Sequence, residues 1–140
     1  MRVIILILIG LTSLVYTANI NGVVLDNNTG LEWQDTYVDN NNSIKKTTWE
    51  DAIKYCEDLV LDYKDNWRLP NINELTSLAD DSKSTPLNSL FINKIDAQNY
   101  WTSTTLTLEN NYNFAWVVYF GYIGYSQNSK TSNNYIRCVR

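Results

Sequence analysis

The chain has no histidine, and Cys56 and Cys138 are its only cysteines. Without an imidazole, the commonest general base and metal ligand is missing, and a thiol nucleophile has no histidine to activate it. Basic residues are also short: 11 Lys and Arg face 15 Asp and Glu, for a net charge of −4. An acidic chain without a basic stripe is a poor match for a phosphate backbone, which argues against nucleic acid as a partner. Long apolar runs are lacking too. The one such stretch, residues 3–15, is interrupted by Gly10, Thr12 and Ser13 and is too short for a comfortable membrane span.

That stretch has another use. Met1-Arg2, a short apolar core and then Ala18 is the layout of a secretory signal peptide, although Tyr16 is bulky for a cleavage site. Residues 1–18 are therefore read as the signal peptide and 19–140 as one exported domain, with no membrane span beyond the signal segment. Cleaved or kept as an anchor, the segment places the rest in the periplasm, at the cell surface or in the medium. In such an oxidising compartment two lone cysteines pair most simply with each other; the rival reading is a reactive thiol.

Aromatic residues are plentiful, with 5 Trp and 10 Tyr. They fill cores, and they also line sugar- and protein-binding surfaces.

The densest structural signal is Trp67-Arg68-Leu69-Pro70-Asn71-Ile72-Asn73-Glu74-Leu75-Thr76-Ser77-Leu78. Pro70 keeps Leu69 extended. Asn71 with Glu74 three residues on reads as a capping box, and Ile72, Leu75 and Leu78 form a stripe over a helix at about 71–79. Trp67 and Leu69 point into a core and Arg68 away from it. Upstream, residues 22–25 and 31–34 flank a Gly-ended turn and predict a hairpin. Residues 35–46 are polar and aperiodic, a solvated loop. Thr48 caps a second helix whose buried face is Trp49, Ala52, Ile53, Cys56, Leu59 and Val60. Asp80-Asp81 begin an acidic loop: calcium needs more oxygens than they offer, so no metal or cofactor is assigned. Leu87, Leu90, Phe91 and Ile95 suggest a partly buried connection with one helical turn. Strands are predicted near residues 100–104, 114–120 and 135–140, with a tyrosine-displaying turn between Gly121 and Gly124 and a polar loop over 127–134. Helices set apart from a mostly antiparallel, twisted sheet with long irregular loops define an α+β domain.

With those residues laid out, the chain resembles the bacterial domain of unknown function at the C-terminus of the Legionella collagen-like adhesin. The resemblance rests on Gly30-Leu31-Glu32-Trp33-Gln34, Trp49 with Ala52 and Tyr55-Cys56, and Trp67-Arg68-Leu69-Pro70 with Glu74-Leu75. It continues through Tyr100-Trp101-Thr102-Ser103, Ala115-Trp116 with Phe120-Gly121, and Arg137-Cys138-Val139-Arg140. More remotely, the frame is similar to the formylglycine-generating and sulfatase-modifying enzymes. Both groups imply a C-type-lectin-like fold, for which a helix-to-last-strand disulfide is a hallmark. The calcium-lectin tripeptides Glu-Pro-Asn, Gln-Pro-Asp and Trp-Asn-Asp are absent, as are the adhesin's Gly-X-Y repeats.

The resemblance and the aromatic, Asn-rich C-terminal half point to a non-catalytic adhesion module, with a glycan or an envelope or host surface protein as ligand. Its candidate surface is Tyr119, Tyr122, Tyr125, Asn128, Asn133 and Tyr135. The alternative is a structural or assembly subunit of a cell-envelope complex; homo-oligomerisation stays open. An enzyme is disfavoured because Glu32, Glu50, Glu74 and Glu109 show no acid–base spacing. Arg68 and Arg137 either contact an anionic ligand or lock the fold through Glu74 or Asp80.

Overall fold

In the computed structural model of the protein, residues 21–79, 87, 90–107 and 112–140 are described. The signal segment, the Asp80-Asp81 loop and Glu109 lie outside these residues.

The opening hairpin forms as the sequence predicts. Strands β1 (Val23–Leu25) and β2 (Glu32–Gln34) pair antiparallel, with Val24 opposite Trp33. The reversal closes on Gly30, whose φ of 75° is a left-handed value that glycine adopts without steric cost. Asp26 stiffens the turn, accepting from the Asn28 amide at 2.9 Å and the Thr29 hydroxyl at 2.7 Å.

Residues 35–46 depart from the expected solvated loop. Asp35, Tyr37 and Ile44 are buried, a 3-10 turn spans Val38–Asn40, and Lys46–Thr47 forms strand β3. The cause lies far along the chain. The Tyr37 hydroxyl donates to the Ile136 carbonyl at 3.0 Å, and Asp35 pairs with Arg137.

Helix α1 (Trp49–Glu57) follows Thr48, whose hydroxyl donates to the Asp51 carboxylate at 2.9 Å rather than capping a helix amide. Ala52 and Cys56 are buried, and Trp49, Ile53 and Leu59 partly so. Val60 is 67% exposed, against expectation, because the helix has already ended. Helix α2 (Ile72–Thr76) is shorter than the predicted span, and its capping box is complete. The Glu74 amide donates to the Asn71 side chain and the Asn71 amide to the Glu74 carboxylate, both at 2.9 Å. Leu75 and Leu78 are buried. Leu87 and Phe91 are buried as well, but the described residues around them form no helical turn.

Strands β4 (Asn99–Thr105), β5 (Phe114–Tyr119), β6 (Gly124–Ser129) and β7 (Asn134–Tyr135) join β3 in one sheet of order β3-β7-β4-β5-β6. Every pairing is antiparallel except β4 with β7. Two predictions are corrected here. Part of the 127–134 loop is strand, because β6 pairs with β5 in unbroken register from Gly124 to Ser129. The closing strand stops at Tyr135 as a sheet member, and the chain then threads between two other segments. Val139 bridges Trp33 on one side and Arg68 on the other, so the C-terminus returns beside β2. Glu32 and Arg140 exchange backbone hydrogen bonds at 3.0 Å.

The sheet is buried on both faces. Tyr100, Val118 and Phe120 join Leu75, Leu78, Trp33 and Tyr37 in one cluster; Trp101, Ala115 and Val117 join Ala52, Cys56, Trp67 and Leu69 in another. Adjacent residues of one strand fall in different clusters, as the two-residue side-chain period requires. Thus α2 covers one face and α1 the other, an α+β arrangement. Cys56 of α1 is bonded to Cys138 with their Cα atoms 5.4 Å apart. A break in register between Trp101 and Thr105 lets β4 bulge towards α2. There Ser103 donates its amide to the Pro70 carbonyl at 2.7 Å, and Thr104 accepts the Ile72 amide at 3.1 Å. The corner at Trp67-Arg68-Leu69-Pro70 is therefore bound to the sheet.

Candidate ligand-binding face

Gly121 and Gly124 bracket the β5–β6 turn, and their part is spatial. A Cβ on Gly121 would lie 2.4 Å from ring atoms of Tyr119, and one on Gly124 would lie 2.9 Å from the Tyr122 ring. Each glycine thus leaves room for a tyrosine ring to approach the backbone more closely than a side chain would allow. The Tyr119 and Tyr122 ring centroids come within 4.9 Å of each other, and Tyr125 meets Trp116 edge-on at 5.7 Å. Tyr122 and Tyr125 remain 72% and 66% exposed. Aromatic rings held by their neighbours yet open to solvent offer contact area at low entropic cost.

Two shallow clefts adjoin this group. One, of about 280 Å³, is lined by Asn99, Tyr119, Tyr122, Gly124, Tyr125 and Ser126. The other, of about 450 Å³, runs from Tyr125 to Ile72, Asn73, Thr76 and Ser77. The β5–β6 register explains the placement: Tyr125 stands opposite Val118 on the face that α2 covers, while Tyr119 stands opposite Gly124 and Asn99. Tyr125 is therefore the wall shared by both clefts.

The six surface candidates do not all meet. Tyr119, Tyr122 and Tyr125 come together. Asn128, near the far end of β6, donates to the Asn134 side chain at 3.3 Å. Asn133 is exposed in the β6–β7 connection, and Tyr135 is partly buried with its ring 5.7 Å from Tyr100. Trp116, Asn99, Ser126 and the polar edge of α2 join the face although they are not among the surface candidates read from the sequence. The hairpin register carries the signal for Trp116 and Ser126; that of α2 is tertiary.

Arg68 and Arg137 are both engaged within the fold. Arg68 forks onto Glu74 through contacts of 2.7 and 2.6 Å, which hold the Glu74 carboxyl below its ordinary range. Arg137 is 1% exposed, stacks 3.9 Å from the Phe91 ring centroid and donates to the Gln34 carbonyl at 2.7 Å and the Asn93 carbonyl. Its acid partner is Asp35, at 3.3 Å, in place of the Glu74 or Asp80 expected for it. Asp35 also accepts the Ile92 and Asn93 amides at 2.7 and 2.9 Å. Burial nonetheless raises its pKa, the amides and Arg137 pulling the other way. Trp67 and Leu69 are buried on either side of Arg68, and Pro70 behind them, as the alternation predicts.

Among the described residues no group of three or more His, Cys, Asp or Glu side chains is placed to hold a metal ion, and no helix is long and apolar enough to cross a membrane. What the face offers is aromatic rings beside amide and hydroxyl groups. No curated protein matches the chain. The sequence model of the Lcl C-terminal domain matches residues 22–140, almost the whole described region, and the chain belongs to that family.

Proposed function

We propose that this protein is an exported, non-catalytic binding module that attaches to a surface ligand, a glycan or a protein, through the tyrosine face of the β5–β6 turn. Membership of an adhesin-associated family supports attachment as the task. The Cys56–Cys138 bridge fits an oxidising compartment. The observation that carries the reading is the seating of Tyr119 and Tyr122 on glycines beside an exposed Tyr125 that walls two clefts. Exposed aromatic groups are costly to keep on a surface unless something covers them, which is why such patches mark interaction sites.

The test compares the purified chain with a Tyr122→Ala/Tyr125→Ala variant on immobilised glycans and on intact cell surfaces. Both side chains are mostly exposed, so the variant should fold with an unchanged melting profile. Saturable binding by the parent that is lost in the variant is the expected result. Undiminished binding by the variant would move the site elsewhere.

A further inference from the structure

The tyrosine face is set apart by its charge. The chain carries 11 basic and 15 acidic residues, yet residues 97–108 and 110–129 contain none of them. Those two segments supply β4, β5 and β6 in full. Among the described residues, neither cleft has a charged side chain in its lining. The nearest acid in α2, Glu74, is turned into the capping box and the Arg68 fork instead of the cleft. Arg137 is buried against the Phe91 ring. Surfaces that bind sulfate, phosphate or carboxylate commonly present Lys or Arg, whose fixed charge offsets the cost of stripping water from the anion. This face instead pairs ring planes with neutral donors and acceptors: Asn99, Ser126, Asn73, Thr76 and Ser77, together with the tyrosine hydroxyls.

On the reading that this face is the ligand site, we infer that its ligand is an uncharged saccharide. The C–H faces of a neutral sugar ring pack on Tyr122 and Tyr125, and its hydroxyls exchange hydrogen bonds with the amide and hydroxyl side chains around them. Two adjoining clefts sharing Tyr125 suit a run of consecutive sugar units rather than one. Binding without ion pairs releases no counterions, so it is insensitive to salt.

The experiment presents the full chain with neutral oligosaccharides built on glucose, galactose or mannose, and with sulfated and sialylated oligosaccharides, between about 0.05 and 0.5 M NaCl. Expected is binding to members of the neutral set that changes less than about twofold across that range, and that falls at least about tenfold in Tyr122→Ala/Tyr125→Ala. A second pair of variants tests charge directly at an exposed site, Ser126→Lys and Ser126→Glu. For a neutral ligand both weaken binding to a similar extent. For an anionic ligand the lysine strengthens binding and the glutamate abolishes it.

Tyrosine-dependent binding confined to sulfated or sialylated sugars, steep in salt and strengthened by Ser126→Lys, would overturn the neutral-saccharide inference while leaving the face as the site. Tyrosine-dependent binding to a protein surface alone would do the same. Binding that ignores both tyrosines would remove the site itself, and with it the proposed function.

Discussion

Around Arg137 the chain closes on itself with charge and a covalent bond, whereas around Tyr122 the described residues of the same sheet are rings, amides and hydroxyls without charge. Arg137, Asp35, Asn93 and Gln34 bind one another inside the protein, and next to them Cys138 is bonded to α1. Among the described residues the β5–β6 turn has no such cross-links; its tyrosines lean on glycines and on each other. On the proposed reading, the contrast separates the part that fixes the fold from the part that meets the ligand. It predicts that damage to the first lowers stability and leaves binding intact in whatever remains folded, and that damage to the second does the reverse.

The largest effect should come from the disulfide. Cys56 and Cys138 are 82 residues apart, and releasing a loop of that length costs about 4.5 kcal/mol in the chain-entropy model. A Cys56→Ala/Cys138→Ala variant should therefore unfold at much lower urea concentration, and its folded fraction should still bind through the tyrosines. Arg137→Met comes next. It leaves Asp35 buried without its cation, for which about 3–5 kcal/mol is the usual cost. Urea unfolding reads this directly; a loss below about 1 kcal/mol would mean that the other contacts of Asp35, the Ile92 and Asn93 amides among them, hold it without the guanidinium.

Much of this contrast could be read before any fold was known, and what could not be read shares one cause. The capping box at Asn71 and Glu74, the burial of Trp67 and Leu69 and the pairing of Arg68 with Glu74 are local: every partner lies within a few residues, so type and spacing suffice. The two cysteines were legible because two lone thiols in an oxidising compartment have few alternatives. Asp35 and Tyr37 read as solvent-facing because polar, aperiodic sequence gives no hint of a partner about a hundred residues away. The second half of strand β6, from Gln127, reads as loop for the converse reason. Gly124-Tyr125-Ser126-Gln127-Asn128-Ser129 has little strand propensity, and its conformation is imposed by pairing with the apolar β5. The candidate face was half legible. Its tyrosines stood out by composition, but only the register and the placement of α2 divide them from Asn128, Asn133 and Tyr135.

A smaller effect tests the hinge between the two regions. Glu74→Gln keeps an oxygen to accept the Asn71 amide but loses the charged fork with Arg68, which is partly exposed and worth about 0.5–1 kcal/mol. The sign of its pH dependence follows from the direction of the shift. Glu74 has a folded-state pKa below its ordinary 4.5, so its contribution is present above pH 4.5 and fades as pH falls through the folded value. The stability gap between parent and variant should be constant near neutrality and close in acid. A gap that widened on acidification would assign the acid response to another group.

The smallest change in stability should belong to Gly121→Ala, and it is the sharpest test of the contrast. The new methyl would meet the far end of the Tyr119 ring at 2.4 Å, a part of the side chain that can swing aside without disturbing the backbone. No positive φ is required at Gly121, so alanine adds no backbone strain there. Stability should then change by no more than about 0.5 kcal/mol, within the range of ordinary surface substitutions. The displaced Tyr119 ring, however, can no longer lie against Tyr122, and the cleft wall that both form with Asn99 opens. Ligand binding should fall several-fold with an unchanged urea midpoint. If binding survives intact, the glycine seat only relieves crowding in the turn, and Tyr125, the wall common to both clefts, must carry the contact with Tyr122 alone.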